Sequence, residues 1–289
     1  MAKSKSSGKS PSTGRSKIDQ LLHGEGIIYG RKRDLPVVKK KVVDDRDYVR
    51  LGIEGVDHLF EKGIPKGSSV LLCGGPGSGK TIFGLQALFN AARLGKKALY
   101  MTFEESPDRL RNHMHDFGWD PDSLIADGYL RIEKYSPFDV MRQVEAMLER
   151  AKGELLIDVK PVLFPGDFVP ELVVIDSLSA IEGAFITREE PYRIYLEQLF
   201  SLLSENGSTS LLVSEALDPD LKSRTSGMEE FLADGIILFY HVRQGSARDR
   251  GVEILKMRGA KFQKKVCAMQ IVEDKGIEVY PDQEVFADI

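Results

Sequence analysis

The sequence predicts an α/β fold: a mostly parallel sheet with helices on both faces and a C-terminal antiparallel extension. Three observations carry this. Short apolar runs alternate with helix-spaced segments from about residue 69 to residue 240, the pattern of strands joined by right-handed helical crossovers. A glycine-rich segment, Gly74–Thr81, lies between the first of those strands and the first helix, where sheets of this kind place ligand-binding turns. After Gly235 the helical spacing stops, and apolar runs are parted by Gly and charged turns, as in antiparallel hairpins.

Taken in order, Ser69–Cys73 reads as a buried strand and Thr81–Leu94 as a helix with apolar residues at helical spacing. Ala98–Phe103 is the next strand and, as the first after that helix, is expected to run close to Ser69–Cys73. Ser106–Phe117 opens with Ser-Pro, a helix start, and Phe138–Ala151 is an amphipathic helix. Leu172–Ile175 is a strand, and Pro191–Glu205 a helix stopped by Asn206-Gly207. Leu211–Ser214 and Ile236–Tyr240 are further strands, and Val252–Met257, Val266–Val272 and Ile277–Tyr280 form the extension. One domain, 48–289, follows a basic leader, 1–47. Met1–Lys17 holds too few large apolar residues to offset its ordering entropy and is expected to be disordered. Ile18–Val43 reads as an arm that could lie on a neighbouring subunit.

Charge narrows the function classes. Residues 1–41 carry a net charge of +8 and the remainder −12, so the body lacks the clustered positive charge of a broad DNA-binding face. No apolar run reaches the ~18 residues that span a bilayer, and the polar N-terminus lacks a secretory core; a cytoplasmic protein is expected. Cys73, inside SVLLCGG, reads as a small buried hydrophobe, and its only fellow, Cys267, supplies neither a CxxC pair nor a disulfide framework.

Gly74-Gly75-Pro76-Gly77-Ser78-Gly79-Lys80-Thr81 fits G-x-x-x-x-G-K-[ST]. Backbone N–H groups of Gly75, Pro76's neighbours, Gly77, Ser78 and Gly79 can curl around phosphate oxygens at the positive end of the following helix. Lys80 is expected to reach the β- and γ-phosphates, and the Thr81 hydroxyl to ligate Mg²⁺. Asp176, closing the apolar strand Leu172–Ile175, is expected to hold Mg²⁺ through water. Glu104 and Glu105 end the strand Ala98–Phe103, where one of them can polarise water in line with the γ-phosphate; the competing reading is that both cap the helix at Ser106. Strand alternation leaves one direct base, unassigned between the two. Ser214 and Glu215 read either as γ-phosphate sensors or as ordinary strand-end residues.

With these motifs in place the chain resembles KaiC-type ATPases, a branch of the RecA/RadA superfamily, from about Leu51 to Pro281. The resemblance rests on Leu51-Gly52-Ile53-Glu54-Gly55-Val56-Asp57, Gly63–Ser68, Thr102–Pro107, Phe117-Gly118-Trp119-Asp120, Glu229–Gly235 and Ile254–Gly259, in that order. It implies a RecA-like P-loop core, ATP and Mg²⁺ as ligands, and a ring, expected to be a hexamer, with ATP between subunits. Lys256 and Arg258 match the basic pair that reaches a neighbour's triphosphate. Clock members of the family carry two such domains and this chain shows one. Glu230 and Phe231 stand where the second clock domain has its Ser-Thr phosphorylation pair, and Phe262 where the first tends to have His. The expected function is a ring-shaped regulatory ATPase with a protein partner. Its rivals are a RadA-like DNA-binding accessory and an ATP-binding signalling protein without hydrolysis, with protein kinase activity left open. The DNA reading needs basic loops, but 182–190 and 217–228 offer only Arg188, Lys222 and Arg224 against several acids. The Glu104–Glu105 pair argues against loss of hydrolysis.

Overall fold

The computed structural model describes residues 48–151, 168–186, 188–215, 227–244 and 247–284, all within the unit Val43–Ile289. The leader 1–47 and nearly all of the loop 217–228, with Lys222 and Arg224, lie outside the described residues. The elements begin with β1 (Tyr48–Val49), β2 (Ile64–Pro65), β3 (Ser69–Gly74), α1 (Lys80–Arg93), β4 (Ala98–Thr102), α2 (Pro107–Asp116) and α3 (Pro121–Ala126). Next come β5 (Leu130–Lys134), α4 (Pro137–Ala151), β6 (Leu172–Asp176), α5 (Leu178–Ala184), α6 (Glu189–Glu205) and β7 (Thr209–Ser214). The chain continues through α7 (Met228–Leu232), β8 (Gly235–Gln244), β9 (Ala247–Met257), β10 (Cys267–Val272) and β11 (Gly276–Glu284).

Nine strands form one sheet in the order β11-β10-β9-β8-β3-β7-β6-β4-β5. From β8 to β5 every pairing is parallel, and from β8 outward to β11 every pairing is antiparallel. The predicted fold class therefore holds. The central strands β3, β4 and β7 are buried along their whole length, which is why they read as unbroken apolar runs rather than alternating ones. Each face of the sheet has its own core. Val70, Leu72, Tyr100, Val174 and Leu211 face α1, while Leu71, Cys73, Met101, Val173 and Leu212 face α6. Burying each such Leu or Val removes it from water at a gain of roughly 1.5–3 kcal/mol. Among the described residues no helix is long and apolar enough to cross a membrane.

One topological expectation fails. β4 does not neighbour β3; β7 and β6 lie between them. Apolar runs give no information on pairing, and β3 satisfies both edges with strands that arrive much later, β7 and β8. The helix α1 spans the gap and packs against β4 and β6. β5 gave no clear signal because it is an edge strand with mixed exposure, LRIEK. The one- to two-turn helices α3, α5 and α7 are likewise too short to show helical spacing.

The lead-in before β3 is fastened to the far end of the chain. Val279 N–H donates to the Glu54 carbonyl at 3.0 Å. At Gly55, φ is +80° and a Cβ would stand 1.8 Å from the Val279 carbonyl oxygen. Gly55→Ala should therefore destabilise the domain by at least about 2 kcal/mol, since both the backbone conformation and the close approach are lost. Chemical denaturation measures this, and wild-type stability would contradict the packing of the lead-in on β11.

Candidate functional site

β3 ends at Gly74, and α1 begins six residues later at Lys80. The turn between them needs glycine: φ is 74° at Gly77 and 107° at Gly79, conformations that L side chains rarely adopt. Gly79 caps α1 without a side chain, so the first amides of the helix stay free to face a ligand. The Lys80 ammonium is buried and donates to the carbonyls of Gly74 (2.8 Å) and Gly75 (3.0 Å). Burial pushes its pKa down, against the opposing pull of Glu215 and Asp176. Among the described residues the buried Ser78 hydroxyl has no hydrogen-bond partner, which suits it to bond a bound anion.

Asp176 closes β6 and gathers this turn to the rest of the sheet. Its Oδ2 accepts from Thr81 Oγ1 at 3.0 Å and from Tyr100 OH at 2.5 Å. Burial raises its pKa; the bonds from Tyr100 and Thr81 oppose that, Glu104 adds to it, and Lys80 opposes it. The Asp176–Ser177 peptide is cis. Ser177 caps α5 by accepting from Ala180 N–H at 3.1 Å and donates to Glu104 Oε1 at 2.5 Å.

The two glutamates part as strand alternation predicts. Their backbone turn is pinned by Thr102 Oγ1, which accepts from Glu104 N–H (3.3 Å) and donates to the Glu105 carbonyl (2.9 Å). Glu104 turns toward Ser177 and lies close enough to Asp176 and Lys80 to act on both charges. Glu105 turns to α2, pairing with Arg109 at 3.0 Å, with the His113 ring 4.0 Å away. The cap of α2 is the Ser106 side chain, which accepts from Arg109 N–H, so neither acid is needed for capping.

These groups open on a cleft of about 490 Å³ at the carboxyl ends of the strands. Its lining carries the carboxylates of Glu104, Glu105, Asp116, Asp176 and Glu215 against the cations of Lys80 and Arg250. A polyanion enters so acidic a cleft only with a cation beside it. Among the described residues no group of three or more His, Cys, Asp or Glu could hold a metal by itself. Mg²⁺ normally takes one or two protein ligands and completes its shell with phosphate and water, and the Thr81–Asp176 pair fits that donor set.

The structure brings together Gly77, Gly79, Lys80, Thr81, Glu104, Glu105, Asp176 and Glu215, with Pro76 at the rim. Ser214 is buried in β7 and is not on the lining; the Glu215 N–H is held by Ser179 Oγ at 2.8 Å. Lys256 and Arg258 lie elsewhere. Met257 pairs with Gly235, which pairs with Val70 at the start of β3, whereas Gly74 pairs with Phe239. At ~3.3 Å per strand residue, that puts the basic pair on the order of 13 Å along the sheet from the chain's own turn. There Lys256 donates to the Glu230 (2.9 Å) and Ala233 (2.6 Å) carbonyls, and Arg258 to that of Phe231 (3.1 Å). Sequence reasoning missed Tyr100, Ser177, His113, Phe117, Arg250 and Ile271. Of these, Phe117 lies in the segment Phe117-Gly118-Trp119-Asp120 and Ser177 directly follows Asp176.

A glycine turn on a helix N-terminus, a strand-end Asp accepting from the Thr81 hydroxyl and a strand-end Glu beside them define a P-loop nucleotide-binding site on a RecA-like sheet. The chain belongs to the KaiC ATPase family, whose description, "ATPase: KaiC", matches residues 49–284. The circadian clock oscillator protein KaiC of Picosynechococcus sp. is 32% identical over 244 residues, covering 81% of this chain and 44% of that protein. The KaiC of Acaryochloris marina is 32% identical over 240 residues, with coverages of 79% and 43%. The chain thus spans less than half the length of these curated relatives. The crystal structure of a KaiC-like protein from the hyperthermophilic archaeon Pyrococcus horikoshii OT3 superposes with a TM-score of 0.63 at 32% identity, covering 81% of this chain and 99% of that one.

Lys80→Ala removes the buried ammonium that the turn's Gly74 and Gly75 carbonyls hold. It should weaken binding of ATP with Mg²⁺ at least about a hundredfold, the scale of a charged hydrogen-bond partner lost from a buried site. Calorimetry reads this directly, and wild-type affinity would remove the turn from the phosphate site.

Proposed function

We propose that this protein binds ATP with Mg²⁺ in the cleft above β3 and β6 and hydrolyses it, as a ring whose subunits share each nucleotide. The observation that carries the reading is the convergence of Lys80, Thr81, Asp176 and Glu104 on one open cleft. Gly75, Gly77, Ser78 and Gly79 cradle the phosphates with backbone amides, and Lys80 exchanges its two carbonyl partners for phosphate oxygens. Thr81 and Asp176 hold the metal, which when bound neutralises charge on the transferring phosphoryl group.

Glu104 is the base in this reading. Ser177 occupies Oε1 and fixes the carboxylate beside Asp176, which leaves Oε2 to accept the proton of the attacking water. Glu105, tied to Arg109 and His113, steadies α2 against the cleft. The apolar flank of Phe117, Ile82 and Ile271 suits the nucleobase. Glu215 contacts the phosphate end, and Ser214 supports it from within β7.

Lys256 and Arg258 serve the neighbouring subunit's ATP. Their place at the opposite end of the sheet from their own P-loop supports this, because a cation supplied in trans makes hydrolysis depend on assembly. A hexameric ring in the cytoplasm, with ATP state setting contacts to a regulatory protein partner, is the resulting function. Glu104→Gln should keep ATP bound but slow turnover by ~10²-fold or more, the scale of a lost general base, while Glu105→Gln should lower it less. Single-turnover hydrolysis with bound ATP measures both. Wild-type turnover by Glu104→Gln would return the acid to a surface role.

A further inference from the structure

Tyr100 is wholly buried in the middle of β4, on the face that packs against α1. Its ring is set among Val174, its register partner on β6, and the helix residue Gly84. A Cβ at Gly84 would come within 3.0 Å of Val174 and 3.6 Å of the Tyr100 ring, so the absence of a side chain there gives the tyrosine its seat. Packing alone would be served by Phe. The hydroxyl does something else: it reaches along the sheet past Val174 and donates to Asp176 Oδ2 at 2.5 Å, the shortest kind of O–H to carboxylate bond.

We propose that Tyr100 is a positioning residue for the metal of this site, acting through Asp176. This inference rests on the reading of Thr81 and Asp176 as the metal's protein ligands. A carboxylate on the end of a strand has two free side-chain torsions and swings unless something holds it. Tyr100 and Thr81 both donate to the same oxygen, Oδ2. That leaves Oδ1 as the acceptor for a metal-bound water. Thr81 alone cannot do this, because its hydroxyl must also meet the metal. A donor that never leaves the carboxylate keeps the geometry ready before the metal arrives, so less ordering is left to the binding step. The tyrosine is suited to that duty because it is fully enclosed in the core between the sheet and α1.

The test compares Tyr100→Phe, which removes one oxygen atom and keeps the ring, with Asp176→Asn. Full-length protein is loaded with adenylyl imidodiphosphate, and Mn²⁺ is titrated in while the free-ion electron paramagnetic resonance signal is followed. A second titration measures affinity for the same nucleotide in EDTA. Tyr100→Phe should retain Mn²⁺ at least about tenfold more weakly, the scale of a lost hydrogen bond to a charged group. Its nucleotide affinity in EDTA should stay within about twofold of wild type. Mn²⁺ retention at the wild-type level in Tyr100→Phe, with loss in Asp176→Asn, overturns the proposal and leaves the tyrosine as packing. Unchanged retention in both variants overturns the Asp176 reading itself, and the proposal with it. Loss of nucleotide affinity in EDTA also counts against it, since the hydroxyl would then be holding the whole cleft rather than one carboxylate.

Discussion

Two charges taken out of water, one at each side of the same turn, set the terms for the rest of this site. Lys80 and Asp176 are both disfavoured by desolvation, and burying a charge is tolerated only where dipoles or an opposite charge compensate. Two turn carbonyls hold the ammonium, and two hydroxyls hold the carboxylate. These are makeshift partners for a lysine that a phosphate would satisfy better. The fold supplies them because the buried strands β3, β6 and β4 deliver Gly74, Asp176 and Glu104 to one edge of the sheet, and α1 leaves that edge with its free amides facing the cleft. The apolar core on both faces is the scaffold that makes such a concentration of charge affordable.

Much of this was legible in the sequence, and the reasons differ from residue to residue. The Gly74–Thr81 turn could be read because its chemistry is local: glycines for positive φ, then Lys and Thr at fixed offsets. Asp176 could be read because a buried strand ending in an acid is also a local pattern. The separation of Glu104 from Glu105 followed from strand alternation, although which one faced Asp176 depended on Ser177, a contact between strands. What could not be read was strand order. β4 was expected to run close to β3, and nothing in an apolar run says that β6 and β7 will insert between them. Arg250 and Ile271 were missed for a related reason: they reach the cleft from the extension, about 170 residues or more beyond the turn, where the buried Gln86 side chain ties α1 to Ile277 at 2.7 Å. Tyr100 was hidden in plain view, since a tyrosine in a buried strand has an ordinary explanation in packing.

The extension also gives the sheet two functional ends. At one end the strands' carboxyl edges form the cleft. At the other, Lys256 and Arg258 rest on α7, beside the exposed Phe231. A subunit arranged this way carries a nucleotide site and a pair of cations that face different directions. Under the proposed function, both come into play when copies associate head to tail into a closed ring.

In the function proposed above, hydrolysis requires such an association. The most direct measurement follows turnover per subunit and particle mass, by light scattering, on the same ATP-containing samples across the concentration range of assembly. Turnover should rise in step with assembly, and Arg258→Ala subunits, inactive alone, should regain activity when mixed with inactive Lys80→Ala subunits. A monomer that hydrolyses ATP at the full rate, with nothing gained on mixing, would contradict it.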